Sequence, residues 1–305
     1  MSQLQSEDII FSNYGNGKQT FIISLTFTDI SDAKDIITGI GYGGDIWELR
    51  VDLLSPPGNE VGDVNLPSLD YVKEQVEALQ AMSSLPILFT IRTKSQGGKF
   101  PDDASKEALD LILLAIASGI SYVDVEIDWP PVMLKEITEK KSSTKSWPPT
   151  IAGLERWDGR VKSSCKGLLQ PMRWVSQDAD IIKLSILSPA IEDCYELGLF
   201  VRDYKLKYPK PLLAVGMGAN GQLSRITSPI SLVTHPLIPF PSAPGQLSLA
   251  QVHQARHLIG KLPKQKISVV DEENFTQKVS RALQAAFLEL GYPHLCSVYK
   301  GKMGM

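Results

Sequence analysis

The segment ADIIKLSIL, residues 179–187, sets a lysine inside an apolar run. Ile181, Ile182, Leu184, Ile186 and Leu187 occupy both alternations of the run, the pattern of a parallel strand covered on both faces. A buried ammonium is costly unless it is paired or neutral, so Lys183 either sits at a strand mouth or carries chemistry.

Other charged residues repeat the anomaly. Period two along IWELRVDLL puts Glu48, Arg50 and Asp52 on one face, and along YVDVEID it does the same for Asp124, Glu126 and Asp128. Arg92 ends the apolar run PILFTIRT. Where helices cover the outside of a sheet, three charges in a row belong on the inside. Four strands would then send charge toward one mouth, as an acid–base site requires. An internal ion network without chemistry is the competing reading.

The elements that must position these residues recur along the chain. TFIISLTF, IWELRVDLL, PILFTIRT, YVDVEID, TIAGLE, DIIKLSI, PLLAVGM and ISLVTHP are strand candidates, separated by helix-period stretches such as SLDYVKEQVEALQAM and DASKEALDLILLAIASG. This repeat predicts an α/β fold, a (β/α)8 TIM barrel over residues 1–262 with a short C-terminal extension over 263–305; a doubly wound open sheet is the alternative. In such a barrel the functional mouth lies at the C-terminal strand ends.

Composition narrows the function classes. The 305 residues are 43% hydrophobic with a formal net charge of −3, enough for a large core and without general attraction for nucleic acid or membrane. No apolar run approaches the roughly 18 residues of a membrane span. The start MSQLQSEDII lacks a basic, apolar leader pattern, so an intracellular place, cytoplasmic or nuclear, is expected. Cys165, Cys194 and Cys296 are widely separated, which argues for reduced thiols rather than a metal site or disulfide framework.

GMGANG, residues 216–221, matches a dinucleotide-binding fingerprint after a strand. That fingerprint needs a ribose-binding acid about 20 residues on, and residues 204–270 contain neither Asp nor Glu. The same acid-free stretch leaves Arg225 suited to meet a carboxylate ligand.

ELRVD, IRTKSQGG, DVEID, IIKL, GMGANGQLSRI and SAPGQLS stand in the order and spacing of type I 3-dehydroquinases, the Schiff-base class of 3-dehydroquinate dehydratases, and the chain resembles that family. SQGGKFPD, THPLIPF and APGQLS resemble the fungal pentafunctional arom polypeptides in particular. The resemblance implies that Lys183 is the Schiff-base lysine, a neutral amine able to attack a ketone. It implies that Arg225 clamps the substrate carboxylate, with Ser242 and Gln246 closing over it. Glu48, Arg50 and Arg92 would line the hydroxyl side, Met217 would pack on the ring, and Asp124 and Glu126 would support the mouth from below. Gln96 stands where many bacterial members carry Glu. Neither a metal nor a cofactor is implied.

One family feature is missing. The fifth strand of the family ends in a histidine that shuttles protons, within an ASxHD-like run; here Leu154, Glu155 and Arg156 stand in that place. The four histidines, His235, His253, His257 and His294, all follow the seventh strand. The tail, ISVVDEENFTQKVSRALQAAFLELGYPHLCSVY, resembles the first segment of a shikimate dehydrogenase, with only Ser280 left of its Ser-x-Ser pair. Loss in both segments resembles the fungal quinate repressors. The expectation is a catalytically impaired sensor of 3-dehydroquinate, 3-dehydroshikimate or quinate serving transcriptional repression; the alternative is a working dehydratase. Such a sensor would face a transcription activator protein rather than nucleic acid directly, and a homodimer is compatible with the resemblance.

Overall fold

The computed structural model describes residues 8–59, 61–144, 147–156, 179–270 and 276–299. Contacts group the chain into two compact units, Met1–Gln246 and Leu247–Met305.

The first unit holds eight parallel strands: β1 (Thr20–Leu25), β2 (Ile46–Arg50), β3 (Ile87–Thr90), β4 (Tyr122–Glu126), β5 (Thr150–Arg156), β6 (Ile181–Leu187), β7 (Leu212–Met217) and β8 (Ile230–Val233). Their hydrogen-bonded order, β7-β6-β5-β4-β3-β2-β1-β8, wraps the sheet until β7 and β8 come together, a nearly closed (β/α)8 barrel. Among the described residues of this unit the helices are α1 (Ile9–Gly15), α2 (Ile37–Gly41), α3 (Leu69–Met82), α4 (Ser105–Ala117), α5 (Pro131–Ser143), α6 (Glu192–Lys207) and α7 (Gln222–Thr227). Ser68 caps α3 by accepting from the Tyr71 amide, and α5 opens with proline at its first turn, where the missing N–H costs nothing.

Strand alternation sorts the side chains into two layers. Ile22, Ile46, Leu88, Tyr122, Ile151, Ile181, Leu213 and Ile230, one from each strand, form an apolar floor inside the barrel, closed by Ile10 of α1. Two residues further along, the same inward alternation brings Ser24, Glu48, Thr90, Asp124, Gly153 and Lys183 into a polar layer. The opposite alternation packs outward: Ala152, Leu154, Ile182, Leu184 and Ile186 meet Leu197 and Tyr204 of α6. Lys183 is thus compatible with a strand that is apolar on both sides, because its face turns polar only above the floor.

The second unit contains α8 (Leu249–Leu258), β9 (Lys266–Val270), α9 (Thr276–Glu289) and β10 (Leu295–Tyr299). A capping box between Ser248 and Gln251 starts α8. β9 and β10 form a two-stranded parallel sheet joined through α9, and His253 of α8 stacks on Tyr292 with ring centroids 4.1 Å apart. No helix among the described residues is long and apolar enough to cross a membrane.

Candidate active site

The polar layer is an ion network centred on Lys183. Its Nζ lies 2.6 Å from Asp124 Oδ2 and 3.5 Å from Glu48 Oε1, all three side chains being buried. Arg92, just beyond β3, donates from Nη2 to the same Asp124 Oδ2 at 2.7 Å and from Nη1 to Glu126 Oε1 at 2.8 Å. Glu126 is held in turn by the Thr93 amide at 3.0 Å and the Thr93 hydroxyl at 2.6 Å. Glu48 accepts from Ser24 at 2.6 Å and from Thr90 at 3.1 Å.

Arg50 makes a two-pronged bond to Asp52, from Nε and Nη2 at 2.8 Å each. This pair corrects the period-two reading of β2. The strand stops at Arg50 and the chain enters a short 3-10 turn, Val51–Leu53, so Asp52 reaches Arg50 around a turn rather than along a pleat. Likewise β4 ends at Glu126, and Asp128 is an exposed turn residue that accepts from Gln96 at 2.7 Å.

Charge complementarity decides the ionisation states. Burial opposes the Glu48 carboxylate, but Lys183, Arg50 and the Ser24 hydroxyl outweigh it and hold its pKa below the ordinary range. For Asp124 burial is likewise outweighed, by Arg92 and Lys183, and the pKa is lowered. At Glu126 burial prevails over Arg92 and Thr93, and the pKa is raised. Burial works against the Arg50 cation, yet Asp52 more than compensates and raises its pKa.

The loop after β8 roofs this layer. Gln246 takes the Ser242 amide on its Oε1 at 2.7 Å and donates from Nε2 to Ser24 at 3.1 Å, which ties the loop to the barrel wall. Arg50 donates to the Ser242 carbonyl at 3.2 Å, and Arg225 donates to the Pro244 carbonyl at 3.3 Å. The glycines of GMGANG serve this packing. A Cβ on Gly221 would lie 2.4 Å from the Gly216 carbonyl, and one on Gly245, at φ 73°, would lie 2.1 Å from the Gly218 oxygen. They let α7 and the roof loop approach β7 closely, a sufficient reason for the motif without a nucleotide.

Beneath the roof lies a cleft of about 500 Å³, part of it open to solvent. Of the residues expected in the site, Glu48, Arg50, Arg92, Lys183, Arg225, Ser242 and Gln246 line it. Asp124 and Glu126 stand behind Lys183 and Arg92, whereas Met217 is fully buried at the end of β7 and Gln96 turns to Asp128; neither belongs to the wall. Gly97, Ser185, Val215, Leu232, Ala243 and Pro244 complete the wall, and of these Ser185, Val215 and Leu232 were not foreseen. Nor was Ser24, whose link from Gln246 to Glu48 spans distant parts of the chain. Guanidinium donors beside a lysine amine suit a small carboxylate ligand.

Position 155 can be placed by register. β5 and β6 pair Gly153 with Lys183, Leu154 with Leu184 and Glu155 with Ser185. Leu154 packs in the outer cluster, so only position 155 shares the alternation of Gly153 among the residues that replace the expected histidine. His235 follows β8 half-buried, its Nδ1 accepting from the Leu237 amide at 3.2 Å, and is not on the cleft wall. Cys194 is buried and bonds the Asn220 carbonyl, while Cys165 lies outside the described residues.

Comparison with known proteins places this geometry. The family model described as Type I 3-dehydroquinase matches residues 21–263. The chain is 35% identical over 296 residues to the pentafunctional AROM polypeptide of Mycosarcoma maydis, covering 95% of this chain and 17% of that one. Among solved structures it is similar to the dehydroquinate dehydratase and shikimate dehydrogenase from S. pombe AroM, with a TM-score of 0.87 at 32% identity, covering 96% of this chain and 54% of that one. The 3-dehydroquinate dehydratase from Geobacillus kaustophilus shares the fold, with a TM-score of 0.66 at 20% identity over 80% of this chain and 91% of that one. The chain therefore spans about half of the S. pombe chain and less than a fifth of the M. maydis polypeptide.

Proposed function

Because the chain belongs to the type I 3-dehydroquinase family, we propose that its cleft binds 3-dehydroquinate or a close carboxylate relative, such as 3-dehydroshikimate or quinate, for sensing with little turnover. The observation that carries this reading is the composition of β5 beside the lysine. Gly153, Leu154 and Glu155 face Lys183, Leu184 and Ser185 in register, and no histidine occurs in the strand. A positioned acid–base group contributes typically about 10²–10⁴ in rate.

In this reading Arg225 pairs with the ligand carboxylate, Glu48, Arg50 and Arg92 meet its hydroxyls, and Ser242 and Gln246 close the roof. The bound state would be read by a transcription activator protein, as in the fungal quinate repressors, from a cytoplasmic or nuclear location. The test is a turnover assay paired with calorimetry on the same protein. Micromolar binding with turnover reduced by the acid–base factor supports the reading, and ordinary turnover overturns it.

A second reading, a working 3-dehydroquinate dehydratase, draws support from the presence of Lys183 on the cleft wall. Its amine would add to the ketone, water would leave to form an imine, loss of a ring proton and of the β-hydroxyl as water would follow, and hydrolysis of the product imine would release the ketone and restore the Lys183 amine. The proton transfers would fall to position 155 and to water. Gln96, the other candidate, is engaged with Asp128 away from the wall.

A further inference from the structure

We propose that Ser185, on the cleft wall two residues beyond Lys183, is a ligand-contacting residue whose hydroxyl bonds the ring oxygen presented to Lys183, whether that oxygen is a ketone or an alcohol. The inference deepens the sensing reading above and rests on it for the identity of the ligand.

The hydroxyl is set apart by what surrounds it. Ser185 is only 4% exposed, yet among the described residues its Oγ has no hydrogen-bond partner. The other polar side chains of the wall are already engaged by the protein, as Glu48 is by Ser24, Arg50 by Asp52 and Ser242 by Gln246. Buried hydroxyls in folded proteins are paired with few exceptions. An open one on a cleft wall therefore points to a partner that the protein itself does not supply. A ring that fills the cleft expels solvent from that hydroxyl and must offer a polar atom in its place, or binding carries the cost of an unsatisfied group.

Its place on the strand says which ligand atom it meets. β6 puts Ser185 on the same alternation as Lys183, about 6–7 Å nearer the C-terminal mouth at the usual strand rise. These two are the residues of β6 that line the cleft. Ser185 pairs in register with Val215 of β7, and Val215 and Leu232 give the β7 and β8 side of the wall an apolar surface. A ring lying on that surface, with its carboxylate at Arg225, finds its polar contacts toward β6 at Lys183 and Ser185. The Lys183 nitrogen donates to Asp124 and Glu48. A serine hydroxyl has one donor and two acceptor sites and rotates to suit its partner, donating to a carbonyl oxygen or accepting from an alcohol. Ser185 thus fits both oxidation states at one ring carbon, the ketone of 3-dehydroquinate and the alcohol of quinate.

Calorimetry on the full chain tests this with three ligands: 3-dehydroquinate, quinate, and quinate lacking its 3-hydroxyl. Ser185→Ala should weaken the first two by about 2–12-fold, the net worth of one hydrogen bond, and the third by less than about twofold. Without ligand, the same variant should unfold at an unchanged or slightly higher urea concentration, because the substitution deletes a hydroxyl that no protein group serves. Equal affinities of wild type and variant for the oxygen-bearing ligands overturn the inference, as does an equal loss for the deoxy ligand. A loss confined to the ketone or to the alcohol overturns it as well, and a destabilised ligand-free variant would mean that the hydroxyl serves the fold instead. Should wild type dehydrate 3-dehydroquinate at an ordinary rate, the sensing reading falls, and Ser185 is judged by quinate and its deoxy form, which carry no ketone. Failure of wild type to bind any of the three overturns the sensing reading and this inference with it.

Discussion

Ser24 on β1 stands opposite Glu48 on β2 in the strand register and donates its hydroxyl to that carboxylate across 2.6 Å. The same hydroxyl accepts from Gln246 at 3.1 Å, so one serine joins the roof loop to the carboxylate beside Lys183. Ser24→Ala leaves Glu48 and Gln246 each short of a buried partner. The expected cost is about 1–3 kcal/mol of stability, measured by urea unfolding. Ligand affinity should weaken as well, because Gln246 loses its anchor. An unchanged unfolding midpoint would show that neither bond matters to the fold.

The effect of supplying a histidine to β5 should depend on parity along the strand. Leu154 belongs to the outer cluster with Leu184 and α6, so Leu154→His would place an imidazole in the outer core and destabilise the barrel without aiding turnover. Position 155, opposite Ser185, is the place to test. Glu155→His should raise dehydration of 3-dehydroquinate measurably above wild type, though below the full factor of about 10²–10⁴, because orientation counts as well as proximity. Rescue by the 154 variant with none at 155 would mean that the register argument is wrong.

Arg225 supplies the third test. It lies buried in the last turn of α7, where it donates to the Pro244 carbonyl and faces the cleft. 3-Dehydroquinate should raise the melting temperature of wild type by binding the folded state. Arg225→Ala should abolish most of that shift, a loss of about 1.5–3 kcal/mol in binding for a charge-assisted pair. Equal affinity of the two proteins by calorimetry would remove the arginine from the carboxylate subsite.

Much of this site can be read from the sequence because parallel strands buried on both faces make any charge conspicuous. Lys183, Glu48 and Arg92 stand out against apolar neighbours, and the arrangement places all three on one wall. Where the chain leaves the strand, period two ceases to hold, and Asp52 reaches its partner through a 3-10 turn instead. Ser24 gives no periodic signal, since a serine amid apolar residues reads as a tolerated small residue and its partner Gln246 is distant in sequence. Gly153 is harder still: its role is the absence of a Cβ at one point beside Asp124, which only the three-dimensional register reveals.

Removing the lysine should expose the balance of charge in pH-dependent form. Glu48 and Asp124 have folded pKa values held below their ordinary range, with Lys183 a cause in both cases. A depressed carboxyl contributes stability that is present above its unfolded pKa, about 4, and is lost as pH falls through the lower folded value. Lys183→Ala takes away part of that depression and leaves two buried carboxylates without their shared cation. The cost should be about 3–5 kcal/mol at pH 7, the scale for breaking a buried pair from one side. It should shrink toward pH 4, because protonating either carboxyl relieves the uncompensated charge in the variant, whereas the depressed carboxyls of the wild type keep most of their advantage until the pH falls further. Glu126 works in the opposite sense: its raised pKa, with burial as the main cause, adds stability as pH falls through that value. Urea unfolding of both proteins at pH 7 and pH 4 checks this, and a destabilisation equal at the two values would show that the lysine contributes by packing rather than charge. In the same variant, borohydride with 3-dehydroquinate should yield no adduct, while non-covalent binding through Arg225 and Gln246 persists. Adduct formation at another lysine would overturn the assignment of Lys183.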